Sequence, residues 1–275
     1  MKTKLFLTIA AIMLVLFSCN KDSDVIDQSS LDDADLEVVS DAVFEDVFSL
    51  ADDASLRIEA KGEEDLTTDC PVITVTKPEG ALWPKTVTMD FGTGCTGLNE
   101  NVRSGRIIMV VTGPRLQAGS KRTVTFDNYY FNGMKIEGTK EFLNKGYNDR
   151  QNLVISVTLT GGKLILPDGR TVERAVAHER EWIAGLLTPN ISDDECKITG
   201  VATGKTRADV SYTNTILEPL YLKRACRFIT KGIVKIERGT ETPVTIDYGN
   251  GDCDAKAIVT KGDQSKEILL KFRPR

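Results

Sequence analysis

The chain has one histidine, His178, in 275 residues. Any Ser-His-Asp or Cys-His relay must use it as the base. Its neighbours, Ala177-His178-Glu179-Arg180, form no nucleophile elbow, and the residue reads as structural. A single histidine also excludes His-rich zinc sites, and the cysteines lack CxxC spacing. Lysine and arginine are scattered, without the run that marks a nucleic-acid surface. The mostly apolar stretch Leu5 to Phe17 is shorter than the roughly 20 residues that cross a bilayer as a helix. These absences remove the commonest frames for catalysis, and no cofactor is expected.

What is present begins at the N-terminus. Lys2 and Lys4 precede the apolar stretch, and Ser18 precedes Cys19. A positive start and an apolar run of this length have the form of a signal peptide over residues 1–18. Leu16-Phe17-Ser18-Cys19 resembles the lipobox of bacterial lipoproteins, in which the cysteine thiol carries diacylglycerol. Cys19 is therefore the expected lipid attachment, holding the chain to a membrane through its acyl chains. Asn20-Lys21-Asp22-Ser23-Asp24 follows and resembles the surface-export signal of Bacteroidota lipoproteins. Outer-membrane attachment on the periplasmic or the outer face is expected, with residues 19–31 as tether.

The charge is uneven. Asn20 to Asp65 holds 16 acids and 3 bases, whereas Leu66 to Arg275 holds 24 acids and 30 bases. An acidic arm thus precedes a mildly basic body. The arm can fold back, the body can meet an anionic surface, or both can be solvated surfaces, which is the plainer reading. Within residues 32–65, Leu36, Val39, Val43, Phe44, Val47, Phe48 and Ala51 fall on one helical stripe, with acids opposite. Acids suit an anionic membrane poorly, so the stripe is expected to pack on the body or on a partner. Residues 57–69 read as linker.

From Cys70 the period changes to two. Val87, Met89 and Phe91 alternate with polar residues, as do Val124 and Phe126, then Leu153, Ile155, Val157 and Leu159, then Val244, Ile246 and Tyr248. Ile107 to Val111 is apolar on both faces, as in a central strand. Thr171 to Leu187 fits helix or strand, and strand is preferred. Turn signals stand at Asn132-Gly133, Gly161-Gly162, Asp168-Gly169, Lys231-Gly232 and Lys261-Gly262-Asp263. Short connections imply antiparallel pairing. Residues 66–275 are thus a mainly β, antiparallel body of about a dozen or more strands, a sandwich or a rolled extended sheet.

Two stretches look alike, within residues 70–112 and 226–270. Each has Cys, then Ile-Thr, a gap, Val-Thr-apolar-Asp-aromatic-Gly-x-Gly, and a second Cys. The repeat favours Cys70–Cys95 and Cys226–Cys253 bridges with Cys196 free. Pairing between copies and fully reduced thiols are the alternatives. With the lipobox, this pattern resembles a group of Bacteroidota outer-membrane lipoproteins. That resemblance implies compartment and β class and transfers no functional residues.

Candidate sites are few. Trp83 sits in the turn Gly80-Ala81-Leu82-Trp83-Pro84, where a ring can be exposed, and adjacent Tyr129 and Tyr130 place one ring on each face of a strand. Trp83 and Tyr130 are the candidate sugar platforms, with Trp182 and Tyr221 also available. Asp247, Asn250, Asp252 and Asp254 have the spacing of a calcium loop's start, but Ala255 and Lys261 stand where it needs Gly and Glu. Turn chemistry explains them without a metal. Asp193-Asp194-Glu195 is an adjacent trio rather than an opposed glycosidase pair. The expected role is a non-catalytic binding or structural module of the envelope, with glycan or an envelope protein as ligand and no nucleic acid. The alternatives are a carbohydrate-active enzyme using paired carboxylates, and an accessory subunit docked through its acidic helix.

Overall fold

A computed structural model of the chain describes residues 28–61, 70–97, 101–188, 190–226 and 228–270. The signal peptide, Cys19 and the tether as far as Asp27 lie outside the described residues. So does the linker over 62–69. Helix α1 (Gln28–Lys61) precedes fourteen strands. They are β1 (Val72–Thr76), β2 (Lys85–Asp90), β3 (Cys95–Thr96), β4 (Val102–Val111), β5 (Lys121–Phe131), β6 (Met134–Tyr147) and β7 (Leu153–Ile165). The second half holds β8 (Thr171–Ala184), β9 (Glu195–Lys205), β10 (Ser211–Lys223), β11 (Ile229–Glu237), β12 (Val244–Asn250), β13 (Lys256–Lys261) and β14 (Gln264–Leu269). All pair antiparallel in one sheet in chain order, with short β3 off the path on β4. Thr171 to Ala184 is a strand, and the body is mainly β and antiparallel.

The alternating residues form the inner face. Val87, Met89, Phe91, Leu153, Ile155, Leu159, Val244, Ile246 and Tyr248 are all buried. Ile107, Met109 and Val111 point inward as well, but Val110 is 37% exposed. The second face of β4 is therefore solvated, although the strand lies inside the sheet between β2 and β5. Two turn signals prove to be bulges. The register of β7 on β8 shifts between Leu159 and Gly162, and inward parity moves from Leu159 to Leu164. Likewise, β11 shifts between Lys231 and Ile233. A bulge left-handed at one residue satisfies glycine as a turn does. Gly105 shows the need most sharply, since a Cβ there would lie 1.9 Å from the Asn128 carbonyl oxygen.

Both repeat copies form the same local structure. Asp90 Oδ1 accepts the Gly92 N–H at 2.8 Å, and Asp247 Oδ1 accepts the Gly249 N–H at 2.9 Å. The aromatic between them, Phe91 or Tyr248, is buried in each. Bridges join Cys70 to Cys95 and Cys226 to Cys253, with Cα separations of 5.9 and 5.7 Å, and buried Cys196 is free. Each bridge closes a loop worth about 3–4 kcal/mol in the chain-entropy model. In a Cys19→Ser chain, denaturation without reductant is expected to expose a single alkylatable thiol, on Cys196. A second reactive thiol, counted by mass spectrometry, would contradict the pairing.

Helix α1 is not a solvated arm. Its side chains are described from Val38 to Glu59, and none from Val38 to Leu56 is exposed. The apolar stripe packs as expected: Val43, Phe44, Val47, Phe48 and Ala51 are within the main core. The opposite face is buried too, including Ser40, Asp46, Asp52 and Ser55. Glu45 and Asp46 lie about 100° apart round the helix, and they reach Arg180 on β8 and Arg103 on β4. Those strands are four steps apart, about 19 Å of sheet, against about 10 Å for a helix diameter. The sheet therefore curls round α1, and the acidic helix is the centre of the molecule. A partner could not meet the stripe, because the chain's own strands cover it.

Candidate functional site

The inner face carries a set of arginines that meets the helix acids. Arg103 binds Asp46 through Nε at 3.0 Å and Nη2 at 2.6 Å. Arg122 reaches Asp52 at 2.9 Å and Arg115 reaches it at 3.7 Å. Arg174 pairs with Asp41, Arg180 with Glu45, and Arg224 with Asp53 at 2.6 Å. The Arg115 N–H also donates to Glu59. Burial raises the Asp53 carboxyl above its usual value, and Arg224 opposes that rise. Phe48 stands within this set. The Arg180 guanidinium lies 3.8 Å from its ring centroid and that of Arg122 5.7 Å, while Phe142 meets it edge-on at 5.1 Å. These ion pairs tie the helix to the surrounding strands.

Two hollows remain. The inner one lies between α1 and the sheet, with a volume of about 80 Å³. Ile198, Leu220 and Leu222 line its apolar side, and Lys140, Arg174, Arg180, His178, Asp41 and Glu45 line its polar side. Burial, then the Arg174 and Lys140 charges, hold His178 down to about 3, so it is neutral. Burial likewise lowers Lys140 to about 8. A void of about 20 Å³ adjoins, lined by Glu45, Trp182, Asp194 and Cys196 among others. It has room for about one water. Burial raises Cys196 to about 12, which makes its thiol inert.

The His178 value has a measurable consequence. Below pH 6.5 the unfolded chain takes a proton that the native histidine refuses, so stability falls as pH drops from 6.5 towards 3. Between pH 7 and 4.5, the native chain is expected to lose about 2 kcal/mol more than His178→Gln, with allowance for the partial exposure of the ring. Urea unfolding at the two pH values measures this. Equal losses would contradict a buried neutral imidazole.

The outer hollow is a groove of about 440 Å³ across β6 to β10. Tyr147 is 47% exposed at its edge, and Lys145, Asn148, Arg150, Glu179, Glu181 and Lys197 supply polar groups. Asn152 and Asn148 donate to Glu181 at 2.7 and 2.9 Å, and these bonds hold its carboxyl below the usual range. Lys145 pairs with Glu179. Loop residues 148–152 are tied by the Asn148 side chain, which accepts the Arg150 and Asn152 N–H groups. The groove thus presents fixed donors, acceptors and one ring.

The residues singled out from sequence lie elsewhere. Trp83 is half-buried against the core, with Lys85 Nζ 4.6 Å from a ring centroid. Tyr130 is 38% exposed on the outer face, and Tyr129 is buried beside Phe91 and Phe126. Lys85 pairs with Val111 and Tyr130 with Ser104, so Lys85, whose ammonium rests on the Trp83 ring, sits about 23 Å from Tyr130 along β4. The two candidate rings do not form one platform. Asn250 accepts the Asp252 N–H and Asp254 the Lys256 N–H, as turn residues do. Among the described residues no three His, Cys, Asp or Glu side chains gather as metal ligands. Asp193 accepts the Thr188 hydroxyl, buried Asp194 faces the small void, and Glu195 starts β9, so the trio does not converge. No helix among the described residues is long and apolar enough to cross a membrane.

Comparison with family models, curated proteins and solved structures finds no match for the chain.

Proposed function

We propose that this is a lipid-anchored envelope protein whose outer groove binds glycan without turning it over. The anchor rests on Leu16-Phe17-Ser18-Cys19. The observation that carries the binding role is the groove, where exposed Tyr147 stands beside hydrogen-bonding groups already held in place. A ring face and fixed polar partners match a sugar's apolar and hydroxyl faces, and the volume falls in the range of small-ligand sites. Glycosidic cleavage needs one carboxyl held protonated and a second one opposed to it. Glu179 and Glu181 are two residues apart on one face of β8; the first is paired with Lys145 and the second is held ionised. Glu45 and Asp194 share only the one-water void.

Binding is tested with the detergent-solubilised full chain on a panel of immobilised polysaccharides. Tyr147→Ala is expected to weaken capture by about tenfold, the loss of one stacking contact. Trp83→Ala is expected to leave it unchanged. Capture unaffected by Tyr147→Ala would remove the groove from the account. Release of sugar from any captured polymer would overturn the non-catalytic reading. The anchor is tested by palmitate labelling, which Cys19→Ser is expected to abolish.

A further inference from the structure

The sheet is wider than the helix it encloses. One apolar cluster joins α1 to the strands from β2 to β9, and a second joins β9 to β14. The inner cavity lies along the seam between them. Interiors are normally close-packed, so a void of this size forfeits contacts along its whole wall. One lining group is also incompletely satisfied. The Lys140 ammonium has three donors. It donates to the Phe44 carbonyl and stands over the Phe44 and Phe142 rings, at 5.8 and 5.4 Å, while the Glu45 and Asp41 carboxylates act on its charge from farther off. The nearby carboxylates are engaged: Asp41 binds Arg174 and Glu45 binds Arg180. A fully buried cation with no carboxylate in contact is a strongly unfavourable arrangement.

We propose that the seam cavity is a binding site for a small monocarboxylate, its carboxylate on Lys140 and its short aliphatic tail against Ile198, Leu220 and Leu222. Lys140, Arg174 and Arg180 against Asp41 and Glu45 leave the cavity wall one positive charge in excess; a carboxylate balances it and gives the ammonium further acceptors, and the apolar wall takes the tail. The tail length follows from the volume. A cavity of about 150 Å³ accepts the six heavy atoms of benzene, so about 80 Å³ accepts roughly three or four, a carboxylate with about one carbon beyond it. Entry runs past Val38 and Phe228, which are half-buried and line the cavity. This site is separate from the outer groove and does not depend on it.

The test is calorimetric titration of the full chain, in detergent, with straight-chain acids from formate to octanoate at constant ionic strength. Affinity is expected to peak near acetate. The uncharged alcohols of equal length are expected to bind at least about tenfold more weakly, the difference made by one charge-assisted contact. Lys140→Met keeps the length of the side chain and removes the charge, and it is expected to lose binding by about the same factor. Leu222→Phe fills the cavity and keeps the charge; it is expected to lose acetate while retaining the fold. No heat with any acid at millimolar concentration would overturn the proposal. So would alcohols binding as well as acids, or affinity that rises steadily to octanoate, which is detergent-like partition. Should Lys140→Met fail to fold, the alcohols and Leu222→Phe decide the matter.

Discussion

Asp46→Ala is expected to destabilise the protein by about 3–5 kcal/mol, the loss found when one partner of a buried ion pair is removed. Asp46 and Arg103 have 0% and 5% of their side chains exposed, and their contact is bidentate. The substitution leaves a guanidinium inside the sheet without its bidentate carboxylate, and water cannot replace it. The effect is not the worth of the pair itself. Replacing both partners together, Asp46→Leu with Arg103→Met, is expected to recover most of the loss, because neither charge then remains to be desolvated. Thermal unfolding measures both, at about 2–4 °C per kcal/mol for a chain of this size. An Asp46→Ala protein within about 1 kcal/mol of the native one would place Asp46 at the surface.

Phe48→Ala is the second large effect, at about 3–5 kcal/mol, the usual range for an aromatic removed from a core. Phe48 is 1% exposed and lies among Phe142, Trp182, Arg122 and Arg180. Its loss opens a cavity and removes the ring that faces two guanidinium groups, so the upper part of the range is expected. Leu56→Ala on the same helix is half-buried and is expected to lose less. Equal effects at the two positions, measured by urea unfolding, would contradict an enclosed helix.

Much of the β body is legible from alternation. Leu153, Ile155, Val157 and Leu159 name their own inner face, and the Asp-aromatic-Gly repeat leads to both bridges. The helix stripe is legible too. What surrounds the helix is not, because one stripe of apolar residues says only that one side is buried. The signal for the other side lies in the strands. Arg122 shares parity with Val124, Lys140 with Phe142, and Arg174 and Arg180 with Val172 and Trp182. A basic residue on an apolar parity faces inward, so it needs a buried acid, and the one acid-rich segment is α1. Read as scattered surface charge, those residues hide that match. The two glycine signals inside β7 and β11 fail for another reason: a bulge and a turn make the same demand on φ, and only the flanking register separates them. The outer groove has no local signal at all, since Tyr147, Glu181 and Lys197 come together only through pairing of β6 to β9.

The most direct test of the enclosed helix is amide hydrogen exchange across α1. Residues 43–55 are expected to be as protected as the central strands, opening only with the whole molecule. Exchange of that segment at the rate of a free arm, while β5 to β9 remain protected, would contradict the account.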